Sequence, residues 1–172
     1  MFVGYRSVAV TEAELEALAA DLGAALQRKG WLLATAESCT GGWLAQVVTS
    51  VSGSSAWFDR GFVTYSNAAK QDMLGVHAET LAQFGAVSEA TAGEMAAGAL
   101  ARSAAQIAIS ITGIAGPGGG SPEKPVGTVC FGWATVDQPE NLTTTQLFIG
   151  DRNQIRAASV RFALRQLRAL VP

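Results

Sequence analysis

The stretch IAISITGIAGPGGG, residues 107–120, decides the fold. Its first half, IAISITG (107–113), is uncharged and rich in β-branched residues, the pattern of a strand buried on both faces. Such strands belong to largely parallel sheets covered by helices on either side. Its second half opens a loop over 113–125 that holds five Gly and three Pro. Glycine is costly to order, and a long structureless loop inside a compact domain is usually functional or disordered.

Downstream of this loop, VGTVCFGWATV (126–136) and LTTTQLFIG (142–150) read as two neighbouring strands, joined across DQPEN as a hairpin. Asp151 then caps a last helix reaching about Leu170. Upstream, Ser88 caps an Ala-rich helix to about residue 104. Two short helical pieces precede it, NAAKQDMLG behind the cap Ser66, and HAETLAQFG. FDRGFVTYS (58–66) is aromatic and weakly alternating, and WLLATA (31–36) is a short apolar run; both read as strands. Between them Gly41-Gly42 opens a helix over WLAQVVTSV. At the start, Thr11 and Glu14 form a capping box. They precede a helix to about Arg28 that carries Leu15, Leu18, Leu22 and Leu26 on one stripe and stops at Gly30. Helices alternate with strands over the first two-thirds, which predicts an α/β fold with a mixed, mostly parallel sheet and its antiparallel part late. One domain over 1–172 is expected, with residues 1–10 as an N-terminal arm.

Composition excludes several functions. Charged residues make up 15% and the net charge is −2, with nine Arg and three Lys against 14 acids. A general nucleic-acid binder needs many phosphate-neutralising cations, so that class is disfavoured. One His and two Cys are too few for a usual zinc site or a disulfide framework, and suit a reducing compartment. MFVGYRSVAVTEAE has no apolar run behind a basic patch, and no segment reaches a membrane span, so a cytoplasmic protein without membrane association is expected.

Two segments that follow strands are rich in small polar residues, and open α/β sheets bind ligands at the carboxyl ends of strands. In TAESCTGG (35–42), Ser38, Cys39 and Thr40 sit on a strand-to-helix turn. Gly41 and Gly42 permit close backbone approach, and free N–H groups at the helix start can hold an anion or oxyanion. An ordinary capped βα turn explains the same residues. In ITGIAGPGGGSPEKPVG (111–127), Thr112 at the strand end can present a hydroxyl and an N–H; a flexible surface loop is the plain alternative.

His77 lies in a helical stretch and is a poor candidate for a Ser–His–Asp triad or a Cys39–His pair. A serine activated by a neutral lysine needs no histidine. Lys29 ends a helix, where a cation is favourable anyway. Lys124 completes an S-x-x-K match at 121–124, but in a Pro-bounded loop; simple solvation explains it. Lys70, in TYSNAAK just after a strand, is the more plausible partner for Ser38, although an exposed helix lysine would look the same.

Arg161, Arg165 and Arg168 read as a solvated stripe on the last helix. Arg152 and Arg156 lie in its first turns, against the helix dipole, which points to an anionic partner such as phosphate or carboxylate, or to pairing with Asp151. Trp43 and Trp57 can stack on a ring or simply fill a core.

Taken together, TAESCTGG, GSSAWFDRGFVTYSNAAK, LGV, GAVSE, ITGIAGPGGG, EKPVGTV and GDR, in this order, resemble the CinA C-terminal domain family from about residue 12 to the end. A stand-alone chain of this length is similar to the family's nicotinamide-nucleotide amidohydrolase members. Longer members carry an additional N-terminal molybdopterin-binding-like domain, which these residues do not resemble. The resemblance implies a three-layer α/β/α fold, often dimeric. It also implies hydrolysis of the carboxamide of nicotinamide mononucleotide to nicotinate mononucleotide and ammonia, in NAD salvage, with no metal and no cofactor. The family's serine falls on Ser38, its lysine on Lys70, its tyrosine on Tyr65, its loop threonine on Thr112 and its GDR arginine on Arg152. The catalytic set expected is Ser38, Lys70 and Tyr65, with Tyr65 relaying a proton or holding the lysine. The substrate-binding set is Thr40, Gly41, Gly42, Thr112, Gly113, Arg152 and Arg156. Some relatives keep the domain without clear deamidase activity, so the alternative is a non-catalytic nucleotide-binding or partner module of a competence or damage-inducible system.

Overall fold

A computed structural model describes residues 5, 6 and 9–172, with side chains from residue 9 onward. The elements in chain order are β1 (Tyr5–Arg6), α1 (Glu12–Lys29), β2 (Leu33–Glu37), α2 (Trp43–Ser50), β3 (Phe58–Val63), α3 (Asn67–Leu74), α4 (Ala78–Phe84), α5 (Glu89–Ala101), β4 (Ile107–Gly113), β5 (Thr128–Thr135), β6 (Leu142–Ile149) and α6 (Arg152–Leu170). The strands form one sheet in the order β1-β6-β5-β4-β2-β3. β2 runs parallel to both β3 and β4, and β1 is parallel to β6. β5 is antiparallel to both neighbours. The mixed, mostly parallel sheet of the sequence reading is present, and the 126–150 pair is the hairpin that supplies its antiparallel part. The expected N-terminal arm falls partly outside the described residues; its Tyr5–Arg6 pairs with the β6 edge, a strand too short to leave a sequence pattern.

Side-chain alternation along β4 builds the three layers. Ile107, Ile109 and Ile111 point to one face and pack with Leu22, Leu26, Leu44, Leu164 and Leu167 of α1, α2 and α6. Burying each such chain stabilises by roughly 1.5–3 kcal/mol. Ala108 points the other way, with Ala34 and Ala36 of β2, against Met95 and Ala99 of α5. That face is small because α5 lies very close: a Cβ on Gly132 would strike the Ala92 carbonyl, and Ser110 Oγ donates to the same oxygen at 2.6 Å. The apolar run of 107–113 is thus large on one side and small on the other.

Boundaries moved where local bonding decided them. The strand expected from residue 31 begins at Leu33. Gly30 adopts a left-handed cap and Trp31 N–H still donates to Leu26 O at 3.0 Å, so Trp31 belongs to the helix end. The 58–66 strand stops at Val63 because Ser66 turns away to cap α3, its hydroxyl accepting from Ala69 N–H at 3.0 Å. The Thr11–Glu14 capping box is half formed: Thr11 Oγ1 accepts Glu14 N–H at 3.1 Å, while the Glu14 carboxylate pairs with Arg165 at 3.0 Å. The complete capping box belongs to Asp151 and Gln154 at α6. The α6 arginines read as solvated instead join α6 to α1, with Arg168 on Asp21 at 2.9 Å. Among the described residues no helix is long and apolar enough to cross a membrane.

Candidate active site

Because β2 is parallel to both neighbours, three carboxyl ends open on one sheet edge. The register sets Glu37 beside Val63 on β3 and beside Ile111 on β4. Ser38, Thr64 and Thr112 therefore emerge together, at the crevice where open α/β sheets bind ligands. Ser38 N–H donates to Ile111 O at 2.9 Å, and Thr64 N–H donates to Glu37 O at 2.9 Å. The ladder thus fixes the backbone beneath the serine.

Lys70 reaches this point from the first turns of α3. Its Nζ donates to Thr64 O at 2.8 Å and to Ser38 Oγ at 3.0 Å. Only 1% of Lys70 is exposed. Burial pushes its amine below the ordinary lysine value of 10.5, with Cys39 acting in the opposite sense. Among the described residues no Asp or Glu lines the surrounding cleft, a cavity of about 210 Å³ whose polar side chains are Ser38, Tyr65, Asn67, Lys70, Thr112 and Arg152. A buried lysine without a carboxylate partner favours the neutral amine, which can act as a base toward an adjacent hydroxyl.

Arg152 bridges the cleft mouth. Its Nη1 donates to Gly116 O at 2.7 Å and its Nη2 to Tyr65 Oη at 3.1 Å. The cation therefore faces the cleft and holds the glycine-rich loop. The pairing with Asp151 does not form; Asp151 is occupied in the α6 cap. Lys124 anchors the loop's far end, donating from Nζ to Phe84 O at 2.8 Å and to Val87 O at 2.7 Å. Thr112 Oγ1 donates to Ala86 O at 2.7 Å, tying the end of β4 to the same wall.

The family of domains represented by the CinA C-terminal domain matches residues 15–171. The chain belongs to the CinA C-terminal domain family. It is 55% identical over 158 residues to the nicotinamide-nucleotide amidohydrolase PncC of Escherichia coli K12, covering 92% of this chain and 95% of that one. It is 51% identical over 149 residues to a CinA-like protein of Syntrophobacter fumaroxidans, covering 87% of this chain but 35% of that longer protein. Among solved structures, the competence/damage inducible protein CihA of Agrobacterium tumefaciens superposes with a TM-score of 0.89 at 51% identity, covering 91% of this chain and 95% of that one.

In this CinA-family chain the expected site residues divide into two groups. Ser38, Tyr65, Lys70, Thr112, Gly113 and Arg152 line one cleft. Thr40, Gly41, Gly42 and Arg156 lie on the outer side of the turn, in a separate open recess with Trp43. Arg156 is committed there: Nε donates to Cys39 O and Nη2 to Thr40 O, both at 3.1 Å, with the guanidinium 5.2 Å from the Trp43 ring. Two backbone carbonyls of the turn thus hold its guanidinium.

Part of the α2 N-terminus is satisfied within the protein. Leu44 and Ala45 N–H donate to Glu37 Oε1 and Oε2 at 2.9 and 3.0 Å, and Gly41 N–H donates to Ser38 O at 3.0 Å. The N–H groups of Cys39, Thr40 and Gly42 have no protein acceptor among the described residues. Tyr65 is 63% exposed, and its hydroxyl accepts from Arg152 at the cleft mouth. Burial pushes the Cys39 thiol up to about 12, which removes it as a nucleophile near neutral pH. His77 is exposed and paired with Glu94 at 3.1 Å, outside the cleft, and Trp57 is buried in the core. Among the described residues no group of three or more His, Cys, Asp or Glu side chains could hold a metal ion. Sequence reasoning missed Glu37 and the anchoring by Lys124. The Glu37 signal was present: a glutamate one residue before the turn, and a helix start at Gly42 with no capping side chain.

Proposed function

We propose that this amidohydrolase hydrolyses the carboxamide of nicotinamide mononucleotide to nicotinate mononucleotide and ammonia, in the cytoplasm, as a step of NAD salvage. The substrate class is the one printed in the name of its 55%-identical relative. The observation that carries the chemistry is the 3.0 Å separation of Lys70 Nζ and Ser38 Oγ.

In this reading neutral Lys70, held by Thr64 O, takes the Ser38 proton as Oγ attacks the carboxamide carbon. The carbonyl oxygen gains the negative charge and is received by the backbone N–H of Cys39, on the cleft side of the turn. Such donors are each worth about 10²–10³ in rate. Lys70 returns its proton to the leaving nitrogen, which departs as ammonia, and leaves an ester on Ser38. Water, deprotonated by Lys70, cleaves that ester and restores the serine. Arg152 receives the 5′-phosphate at the cleft mouth, with the glycine-rich loop packed over the nucleotide. Tyr65 acts by holding Arg152. The working unit is a homodimer, without a nucleic-acid or membrane partner.

Incubating the protein with nicotinamide mononucleotide and following ammonia together with nicotinate mononucleotide tests the reading. Equimolar release is expected. Saturable binding without release would favour the non-catalytic nucleotide-binding module instead.

A further inference from the structure

The turn bearing Ser38 contains two glycines in left-handed conformations, Gly41 at φ 61° and Gly42 at φ 96°. Gly42 is the α2 cap position and supplies no side-chain acceptor. A Ser, Thr or Asp would normally satisfy the first amides of a helix from that position, but the positive φ there favours glycine. The acceptor comes instead from across the turn. Glu37, the last residue of β2 and 1% exposed, divides its two carboxyl oxygens between Leu44 N–H at 2.9 Å and Ala45 N–H at 3.0 Å. A carboxyl buried this deeply is costly unless both oxygens are bonded.

The same residue also touches the lysine side of the site. Glu37 O accepts Thr64 N–H at 2.9 Å, and Thr64 O accepts Lys70 Nζ at 2.8 Å. Its side chain thus closes the loop that carries the serine, while its main chain sets the strand that carries the lysine's acceptor. We infer that Glu37 is a positioning residue: its carboxyl clamps the start of α2 to the end of β2 and so fixes Ser38 Oγ against Lys70 Nζ. The inference rests on the Ser38–Lys70 reading above. Glu37 itself lies behind the turn and does not line the cleft.

Glu37→Gln keeps the shape and one acceptor oxygen but sets an NH2 group against a helix N–H. Misplacing a reacting group by about 1 Å costs on the order of 10²-fold, so kcat for ammonia release should fall about 10- to 100-fold. KM should stay within about threefold, because Arg152 is untouched. Thermal unfolding and circular dichroism report folding, and Glu37→Asp, which keeps both oxygens on a shorter stem, decides on the same readouts if the Gln variant does not fold. A readout free of substrate is the NMR titration of the Lys70 side chain. It should move further below the ordinary lysine value in the variant, because Ser38 Oγ accepts from the amine and so favours its charged form. A lower melting temperature with wild-type kcat and an unmoved Lys70 titration would overturn the inference, leaving a purely structural cap. Were the wild type to release no ammonia, the deamidase reading would fail, and the Lys70 titration alone would still decide for or against the clamp.

Discussion

Lys70 Nζ lies 3.0 Å from Ser38 Oγ across 32 positions of sequence, and the two meet in a cleft lined, among the described residues, by no carboxylate. An exposed lysine would be protonated and useless as a base at neutral pH. Burial shifts Lys70 toward the neutral amine, and the following expectations turn on that direction.

Lys70→Met keeps the volume and removes the base. Loss of a positioned general base typically costs about 10²–10⁴ in rate, so ammonia release should fall by that factor. Stability should hold or rise, because the cost of burying an amine goes with it, offset in part by the lost bond to Thr64 O. Steady-state assay beside thermal unfolding separates the two. Lys70→Arg should be equally inactive, since a guanidinium stays protonated.

The sign of the pH response follows from the lowered Lys70 value. Activity needs the neutral amine, so kcat/KM should rise with pH along a limb centred below the ordinary 10.5. Stability should move the same way. Between the folded and unfolded lysine values the unfolded chain holds the extra proton, so stability climbs as pH rises through that window and is lowest beneath it. Lys70→Met should flatten that slope in denaturant titrations at stepped pH; an unchanged slope would assign it to another group.

Arg152→Ala should raise KM for nicotinamide mononucleotide by about 10- to 100-fold, the worth of a charge-assisted hydrogen bond. Nicotinamide riboside, which lacks the phosphate, should be little affected. Equal losses on both substrates would mean that Arg152 works through its Gly116 contact, as an anchor of the loop.

Tyr65→Phe removes only the oxygen that accepts from Arg152. A shift of several-fold, mostly in KM, is expected from one neutral hydrogen bond of about 1 kcal/mol. A drop of about 100-fold in kcat would instead assign Tyr65 the proton-relay role.

Cys39 should be dispensable for chemistry. Its thiol, raised to about 12, should resist iodoacetamide in the native protein. Cys39→Ala should keep kcat while costing about 1 kcal/mol for the small void.

Much of the fold was legible because its signals were local. IAISITG is a strand at 107–113 as read, and Ser66, Ser88 and Asp151 each cap the helix that follows. What sequence could not supply was the choice of partner for an exposed-looking charge. The α6 arginines read as a solvated stripe because their partners, Glu14 and Asp21, lie on a helix some 150 positions away. Arg152 and Arg156 sit one helical turn apart and carry the same local signal. Only the three-dimensional path of the 38–42 turn sends one into the cleft and the other behind it. Glu37 went unnoticed for a related reason. A strand-end glutamate looks solvated until the next helix folds back onto it.

Ammonia release from nicotinamide mononucleotide by the wild type and by Ser38→Ala, assayed side by side at matched folded concentration, tests the central claim most directly. The expected result is turnover by the wild type and none by a variant that melts at the same temperature. Turnover retained by the variant would contradict the assignment of Ser38 as the nucleophile.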